Sequence, residues 1–335
     1  MKAAVFGSGF WGRNLVRVFH EMGALAAVAD ANPEALAEVQ KKFPGTRVES
    51  TAAALLADPA IEAAAIATPA ETHFALAKAA LEAGKHVFVE KPLALRVPEA
   101  ESLVALAQRA ARTLMVGHLM RYHPAVRKLK QLCLEGELGK LEYGYSNRLN
   151  LGKVRREENA LWSFAPHDVS VLLHLFDSMP LQISAVGGTY LQPNIADVSL
   201  SNLLFEGGAR AHIFVSWLHP FKEQKLVVVG SKKMAVFDDV ALADKLKLYE
   251  KNIELVGGHF TAKRPEGVPV NFEWSEPLRN ECEHFLECAR TGAAPDTDGR
   301  EGLRVLLVLQ ACQKSLQLNG EPVEVGGVNK EIVYG

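Results

Sequence analysis

The sequence predicts an α/β chain: an N-terminal doubly wound parallel sheet, then an α+β domain with a large, mostly antiparallel open sheet. Three observations predict it. A glycine-rich turn, Gly7-Ser8-Gly9-Phe10-Trp11-Gly12, follows an apolar run and opens an amphipathic segment. Short apolar runs then alternate with helical patterns as far as Gly117, as parallel strands joined by helical crossovers do. Past that point successive strands with period-two alternation dominate. The 335 residues therefore divide into 1–118 and 119–335.

The first strand is Ala3-Ala4-Val5-Phe6, and Leu15, Val18, Phe19 and Met22 share one face of the helix that follows. Strand, glycine turn and helix together form the context of a dinucleotide site. Gly7 makes the tight turn, Gly9 lets the backbone approach a pyrophosphate, and Gly12 lets the helix pack on the strand. Phe10 and Trp11 lie in the same turn. The anion faces unpaired N–H groups at the positive end of the helix dipole. Leu25–Ala29 is the second strand and ends in Asp30, about 20 residues beyond the glycines, where a carboxylate accepts both hydroxyls of an adenine ribose. It repels a ribose 2′-phosphate and no Arg follows at once, so NAD is expected over NADP; its bland alternative is a cap for the next helix.

Helix over 33–43, strand over 63–67, helix over 71–82 ending at Gly84, strand over 86–89, helix over 98–112 and strand over 114–116 complete this half. The second half opens with a helix over 127–135 and a strand over 141–150. A helix over 166–176 follows, with Pro166 in its first turn. Strands succeed one another from Leu181 to Phe237, with turns at Gly207-Gly208 and Gly230-Ser231. Ala211, Ile213, Val215 and Trp217 alternate on one face, which is expected to be an exposed sheet face if helices cover only the other side. Two helices close the chain; in the first, Leu278, Cys282, Phe285, Leu286 and Ala289 share a face.

Composition is that of a globular chain, 48% hydrophobic and 23% charged. A net charge of -2 supplies no global field for nucleic acid or an anionic membrane. The N-terminus enters the first strand directly, and no apolar stretch approaches the roughly 18 residues of a membrane span. Four cysteines without a C-x-x-C spacing read as buried free thiols. A cytoplasmic protein is expected, with neither a nucleic-acid nor a membrane partner.

Ligands of open α/β sheets bind beyond the carboxyl ends of the strands. Two loops there stand out, Thr68-Pro69-Ala70-Glu71-Thr72-His73 and Glu90-Lys91-Pro92. A lysine at such a position can hold a hydroxyl and lower its pKa; the bland alternative is a surface ion pair of Glu90 and Lys91.

These residues, Gly7–Gly12, Asp30, Ala67-Thr68-Pro69 with His73, and Glu90-Lys91-Pro92, together resemble the glucose–fructose oxidoreductase/inositol dehydrogenase (Gfo/Idh/MocA) family over essentially the whole chain. The resemblance implies the two-domain architecture, NAD(P), and redox chemistry at a sugar or polyol carbon. It implies cofactor contacts from Thr68, Pro69, His73, Glu90, Lys91, Pro92 and Arg121. Residues 147–168 are similar to the branch that includes UDP-N-acetylglucosaminuronate 3-dehydrogenases, which act on the way to diacetamido-uronic acids of surface polysaccharides. By that likeness the substrate is a nucleotide sugar oxidised at the C3 hydroxyl. Family members commonly pair through the second-domain sheet, so a homo-oligomer, dimer or tetramer, is expected.

In this reading His167 is the general base and Lys91 steadies the developing alkoxide. The family places an Asp four residues before that His; here the position is Ser163, which shares the helix face but carries no charge. Asp168 points about 100° away around the helix. Arg148, Lys153, Arg155 and Arg156 are the local cations for a diphosphate and a carboxylate, with a solvated loop as the bland alternative. Asn159, Trp162, Ser163 and Asp168 complete the expected substrate contacts. His118 and His123 stand as rivals to His167. A sugar or polyol dehydrogenase with a neutral substrate is the alternative activity, and a non-catalytic NAD-sensing regulator the third.

Overall fold

The structure, a computed structural model, describes residues 1–152, 154–262 and 265–325. They form two compact units. One comprises Met1–Tyr122 and Ser275–Leu306; the other comprises His123–Trp274 and the described residues from Leu307 onward.

The first unit runs β1 (Ala3–Phe6), α1 (Gly12–Glu21), β2 (Leu25–Ala29), α2 (Pro33–Lys42), β3 (Arg47–Glu49), α3 (Ala52–Leu56), β4 (Ala63–Ile66), α4 (His73–Glu82), β5 (His86–Glu90), α5 (Val97–Arg109) and β6 (Leu114–Gly117). Its six strands are parallel in the order β3-β2-β1-β4-β5-β6. The direction of strand addition reverses between β1 and β4, which is where ligands of such sheets bind. The central strands β1 and β4 are short runs of Ala, Val, Ile and Phe buried on both faces, as a parallel sheet covered by helices requires. Asn32 starts α2 by accepting the Glu34 N–H at 2.9 Å, with Pro33 in the first turn.

The core of this unit joins Leu15, Val18 and Phe19 of α1 to Leu278, Cys282 and Phe285. Those last residues lie on α8 (Pro277–Thr291), so residues 275–306 return to the first unit, and the second is not the continuous stretch 119–335. A helical period identifies the apolar face of α8 but not the sheet that it covers. Phe285 meets Phe88 of β5 edge-on, with centroids 5.8 Å apart.

The second unit holds α6 (Pro124–Leu134), β7 (Leu141–Leu151), α7 (Ala160–Phe176), β8 (Pro180–Gly188), β9 (Val198–Phe205), β10 (Arg210–Ser216), β11 (Leu218–Gly230), β12 (Lys233–Asp238) and β13 (Leu246–Glu250). The short strands β14 (Ile253–Val256), β15 (His259–Ala262), β16 (Val268–Pro269) and β17 (Val323–Glu324) follow, and α9 (Gly299–Gln317) has its later turns in this unit. Nine strands pair in the order β16-β13-β12-β11-β7-β10-β9-β8-β17, all antiparallel except β7 beside β10.

Two expectations are corrected here. Ala211, Ile213, Val215 and Trp217 are buried, at most 3% exposed, because α7 packs on β10. Alternation shows that one face of a strand is apolar, and here a helix covers that face. The α7 helix also begins at Ala160, so Pro166 lies in its interior and not in its first turn. Asn159 supplies the start signal by accepting the Trp162 N–H at 3.2 Å. The interior proline costs about 3 kcal/mol of helix propensity, and burial of most of α7 offsets it. Among the described residues no helix is long and apolar enough to cross a membrane.

Candidate active site

In the first unit the glycine turn is tight. Gly7 has φ +90°, and a Cβ there would lie 2.7 Å from the Ala67 carbonyl oxygen. A Cβ on Gly12 would lie 1.9 Å from the Gly7 carbonyl oxygen, so α1 can start there only from glycine. A Cβ on Gly9 would meet nothing within 4 Å, which leaves room for a phosphate against the backbone. Asp30 is fixed in place: its Oδ2 accepts from the Ser8 N–H at 2.6 Å and the Ser8 hydroxyl at 3.0 Å, and its Oδ1 accepts from the Asn32 N–H at 2.8 Å. Ser8, unassigned from the sequence, is thus the residue that orients the carboxylate. These residues could hold a dinucleotide, its phosphates against the Gly7–Gly12 turn and its ribose against Asp30. Phe10 is 82% exposed, with the Arg13 guanidinium over its ring.

Two loops meet around His73, which is buried. Its Nδ1 lies 2.7 Å from the Pro92 carbonyl oxygen and its Nε2 2.9 Å from that of Thr68. A neutral imidazole can donate to only one of them, and burial pushes the ring below its usual pKa. His73 therefore lies between the Thr68-Pro69 loop and the Glu90-Lys91-Pro92 loop and donates to the carbonyl of one of them. The Thr72 hydroxyl donates to that of Thr68 at 2.7 Å. The Lys91-Pro92 peptide is cis. The Trp11 indole N–H donates to Glu90 Oε1 at 2.5 Å, linking the glycine turn to the same loop. Arg121 lies 3.5 Å from Glu301 and donates to the Asp296 carbonyl. His118 Nε2 lies 3.3 Å from the other Glu301 oxygen, and burial lowers its pKa.

In the second unit α7 presents His167, partly exposed, one turn past the buried Ser163. Asp168 faces inward and is 4% exposed. Its carboxylate accepts from Arg148 Nε at 2.8 Å, from Arg148 Nη2 at 3.0 Å and from the Ser146 hydroxyl at 2.7 Å. Burial works to lower the Arg148 guanidinium, but the Asp168 charge outweighs it and holds it above its ordinary value. The expected substrate contacts Arg148 and Asp168 are thus each other's partners beneath the sheet. Arg155 pairs with Glu158 at 2.9 Å and with Glu157 at 3.5 Å, while Arg156 is exposed. Lys153 lies outside the described residues.

Asn159 Nδ2 and Trp162 Nε1 both donate to Gln313 Oε1, at 2.8 and 3.1 Å, so these residues anchor the start of the helix that carries His167. Ser146 and Gln313 gave no signal in the sequence, since ordinary polar residues carry no spacing rule. His123 caps α6 through its Nδ1 and lies 3.5 Å from Asp239. Among the described residues no cluster of three or more His, Cys, Asp or Glu could hold a metal ion.

Comparison with known proteins places the chain in a family. The profile of the Gfo/Idh/MocA oxidoreductase family, NAD-binding Rossmann fold, matches residues 1–118, and that of the Gfo/Idh/MocA C-terminal domain matches residues 126–236. UDP-N-acetylglucosamine 3-dehydrogenase of Acidithiobacillus ferrooxidans is 30% identical over 91% of this chain and 94% of its own length. A crystal structure of that enzyme superposes with a TM-score of 0.84, covering 95% of this chain and 98% of that one. Inositol 2-dehydrogenase of Paracoccus denitrificans is 26% identical over 97% of this chain and 96% of its own. Two matched domains in the family's order and a relative similar from end to end place the chain in one group: it belongs to the Gfo/Idh/MocA family of oxidoreductases.

Proposed function

We propose that the protein is an NAD-dependent nucleotide-sugar dehydrogenase that oxidises the C3 hydroxyl of a UDP-linked N-acetylated hexosamine. Similarity from end to end to a UDP-N-acetylglucosamine 3-dehydrogenase carries this reading. NAD is favoured over NADP by the Asp30 carboxylate, which Ser8 holds ready to accept ribose hydroxyls and which would repel a phosphate. Bound nicotinamide dinucleotide supplies the hydride acceptor. Lys91 donates to the reacting hydroxyl and offsets the charge developing on its oxygen. His167 takes the hydroxyl proton, and a positioned base of this kind is worth about 10²–10⁴-fold in rate. The Asp168 carboxylate is already engaged by Arg148.

The uronate of the same sugar, as an intermediate in surface-polysaccharide synthesis, is the second reading. It would bring a carboxylate besides the diphosphate. Arg148 and Arg155 already hold carboxylates, which favours the substrate with fewer anionic groups. We also propose a homo-oligomer through the second-unit sheet, supported by the exposed Tyr143 on β7 and Leu181 and Val186 on β8.

A single-turnover assay of NADH formation tests the substrate class, with UDP-N-acetylglucosamine, its uronate, free N-acetylglucosamine and myo-inositol compared. NADH from a UDP-sugar, lost in Lys91→Ala and in His167→Ala, is expected. NADH from myo-inositol alone would overturn the nucleotide-sugar reading. NADH from the uronate alone would select the second reading.

A further inference from the structure

Beneath the Lys91 loop the first unit buries a second carboxyl that the proposed reaction does not use. Glu281 of α8 is 0% exposed, and neither of its oxygens has a hydrogen-bond partner among the described residues. Phe88 and Glu90 share one face of β5, and Glu281 and Phe285 share one face of α8. The edge-on contact of Phe88 with Phe285 brings these two faces together. On the other side of Glu90 the Trp11 indole donates to its Oε1. Gly117 leaves room for the carboxyl, since a Cβ there would lie 2.9 Å from Oε1.

We propose that Glu90 and Glu281 hold one proton between them and present a single negative charge to the Trp11 indole and to Lys91. Of these two neighbouring carboxyls Glu281 is fully buried and Glu90 half-buried, and ionising one raises the cost of ionising the other. Glu281 has no donor to stabilise a charge, so an ionised Glu281 would bear the full cost of desolvation. Glu90 has two donors, the Trp11 indole and the Lys91 backbone N–H, and the Lys91 ammonium nearby. Above pH about 7, where Glu90 ionises, the proton therefore resides on Glu281 and the charge on Glu90.

The titration directions agree. Burial pushes Glu281 well above the carboxylate range, and the Glu90 charge pushes it further. Burial also raises Glu90, to about 7, against the pull of Trp11 and Lys91. The other groups facing the pair are few. The Tyr122 hydroxyl and the Cys282 thiol face Glu281, and both are raised first by burial. The Arg17–Glu276 ion pair stands at the start of α8, and His118 faces Lys91. In this arrangement Glu90 and Glu281 are positioning residues. They join the turn that holds the dinucleotide to the lysine loop through one charge, independently of which sugar the enzyme takes.

Infrared spectroscopy of the full chain tests the shared proton directly. At pH about 9 ordinary carboxyls are ionised, so a protonated-carboxyl stretch surviving there reports the pair. The expected result is such a band in the wild-type chain and its loss in Glu281→Gln. Because Glu281 makes no hydrogen bond among the described residues, Glu281→Met should fold, and it supplies the same comparison if the amide does not. Absence of the band from the wild-type chain, or its survival in both variants, would overturn the proposal.

Discussion

Asp168 adjoins the candidate base in sequence, yet its carboxylate is spent on Arg148 and Ser146. Removing one partner of a buried ion pair strands the other, at a cost of about 3–5 kcal/mol. Asp168→Ala is therefore expected to lower the free energy of unfolding by that amount in a urea titration; a loss below about 1 kcal/mol, in the range of surface pairs, would show the pair to be dispensable. Glu90 gives a second residue-scale prediction. Its folded pKa, about 7, lies above that of an unfolded glutamate, so the native state holds an extra proton in between. Stability therefore falls as pH rises through that window. Glu90→Gln should gain on wild type between pH about 5 and about 8, measured by urea unfolding at both. A constant difference would contradict the raised pKa. That Asp30 and Lys91 stand just past strand ends could be read from the sequence, since each follows a short apolar run. Ser8, Ser146 and Gln313 could not, because what they hold becomes adjacent only on folding.

At the scale of elements, the start of α1 depends on a backbone contact. A methyl group at position 12 would sit 1.9 Å from the Gly7 carbonyl oxygen, so Gly12→Ala must move α1 away from the turn. Loss of measurable NAD binding in calorimetry is expected; unchanged affinity would contradict the assignment of the turn. At α7, Asn159→Ala removes both a cap and an anchor to Gln313. It should cost about 1 kcal/mol and lower kcat more than it raises KM, since it displaces the helix that carries His167. The alternation of strand and helix in residues 3–117 was legible where a parallel strand is a short apolar run, as in β1, β2, β4 and β6; β3, Arg47-Val48-Glu49, is not such a run and was not legible. The true start of α7 was not legible either, because Pro166 looks like a first-turn residue while the Asn159 cap lies about two turns upstream.

At the scale of the whole chain, the first unit is completed by α8, whose Leu278, Cys282 and Phe285 lie in its core. A fragment ending at Tyr122 lacks that apolar cover, and it should bind a hydrophobic dye and lack a cooperative thermal transition. Cooperative melting of the fragment would contradict this account. The two-part architecture was readable from the change of pattern near Gly117. The return of 275–306 was not, since periodicity names a face and not its neighbour. The family and its chemistry rest on matches that run along the chain, and the identity of the oxidised carbon is the central claim built on them. Its most direct test uses UDP-N-acetylglucosamine deuterated at C3. Deuterium recovered in the reduced nicotinamide by mass spectrometry is the predicted result. Turnover that yields unlabelled NADH would place the oxidation at another carbon and contradict it.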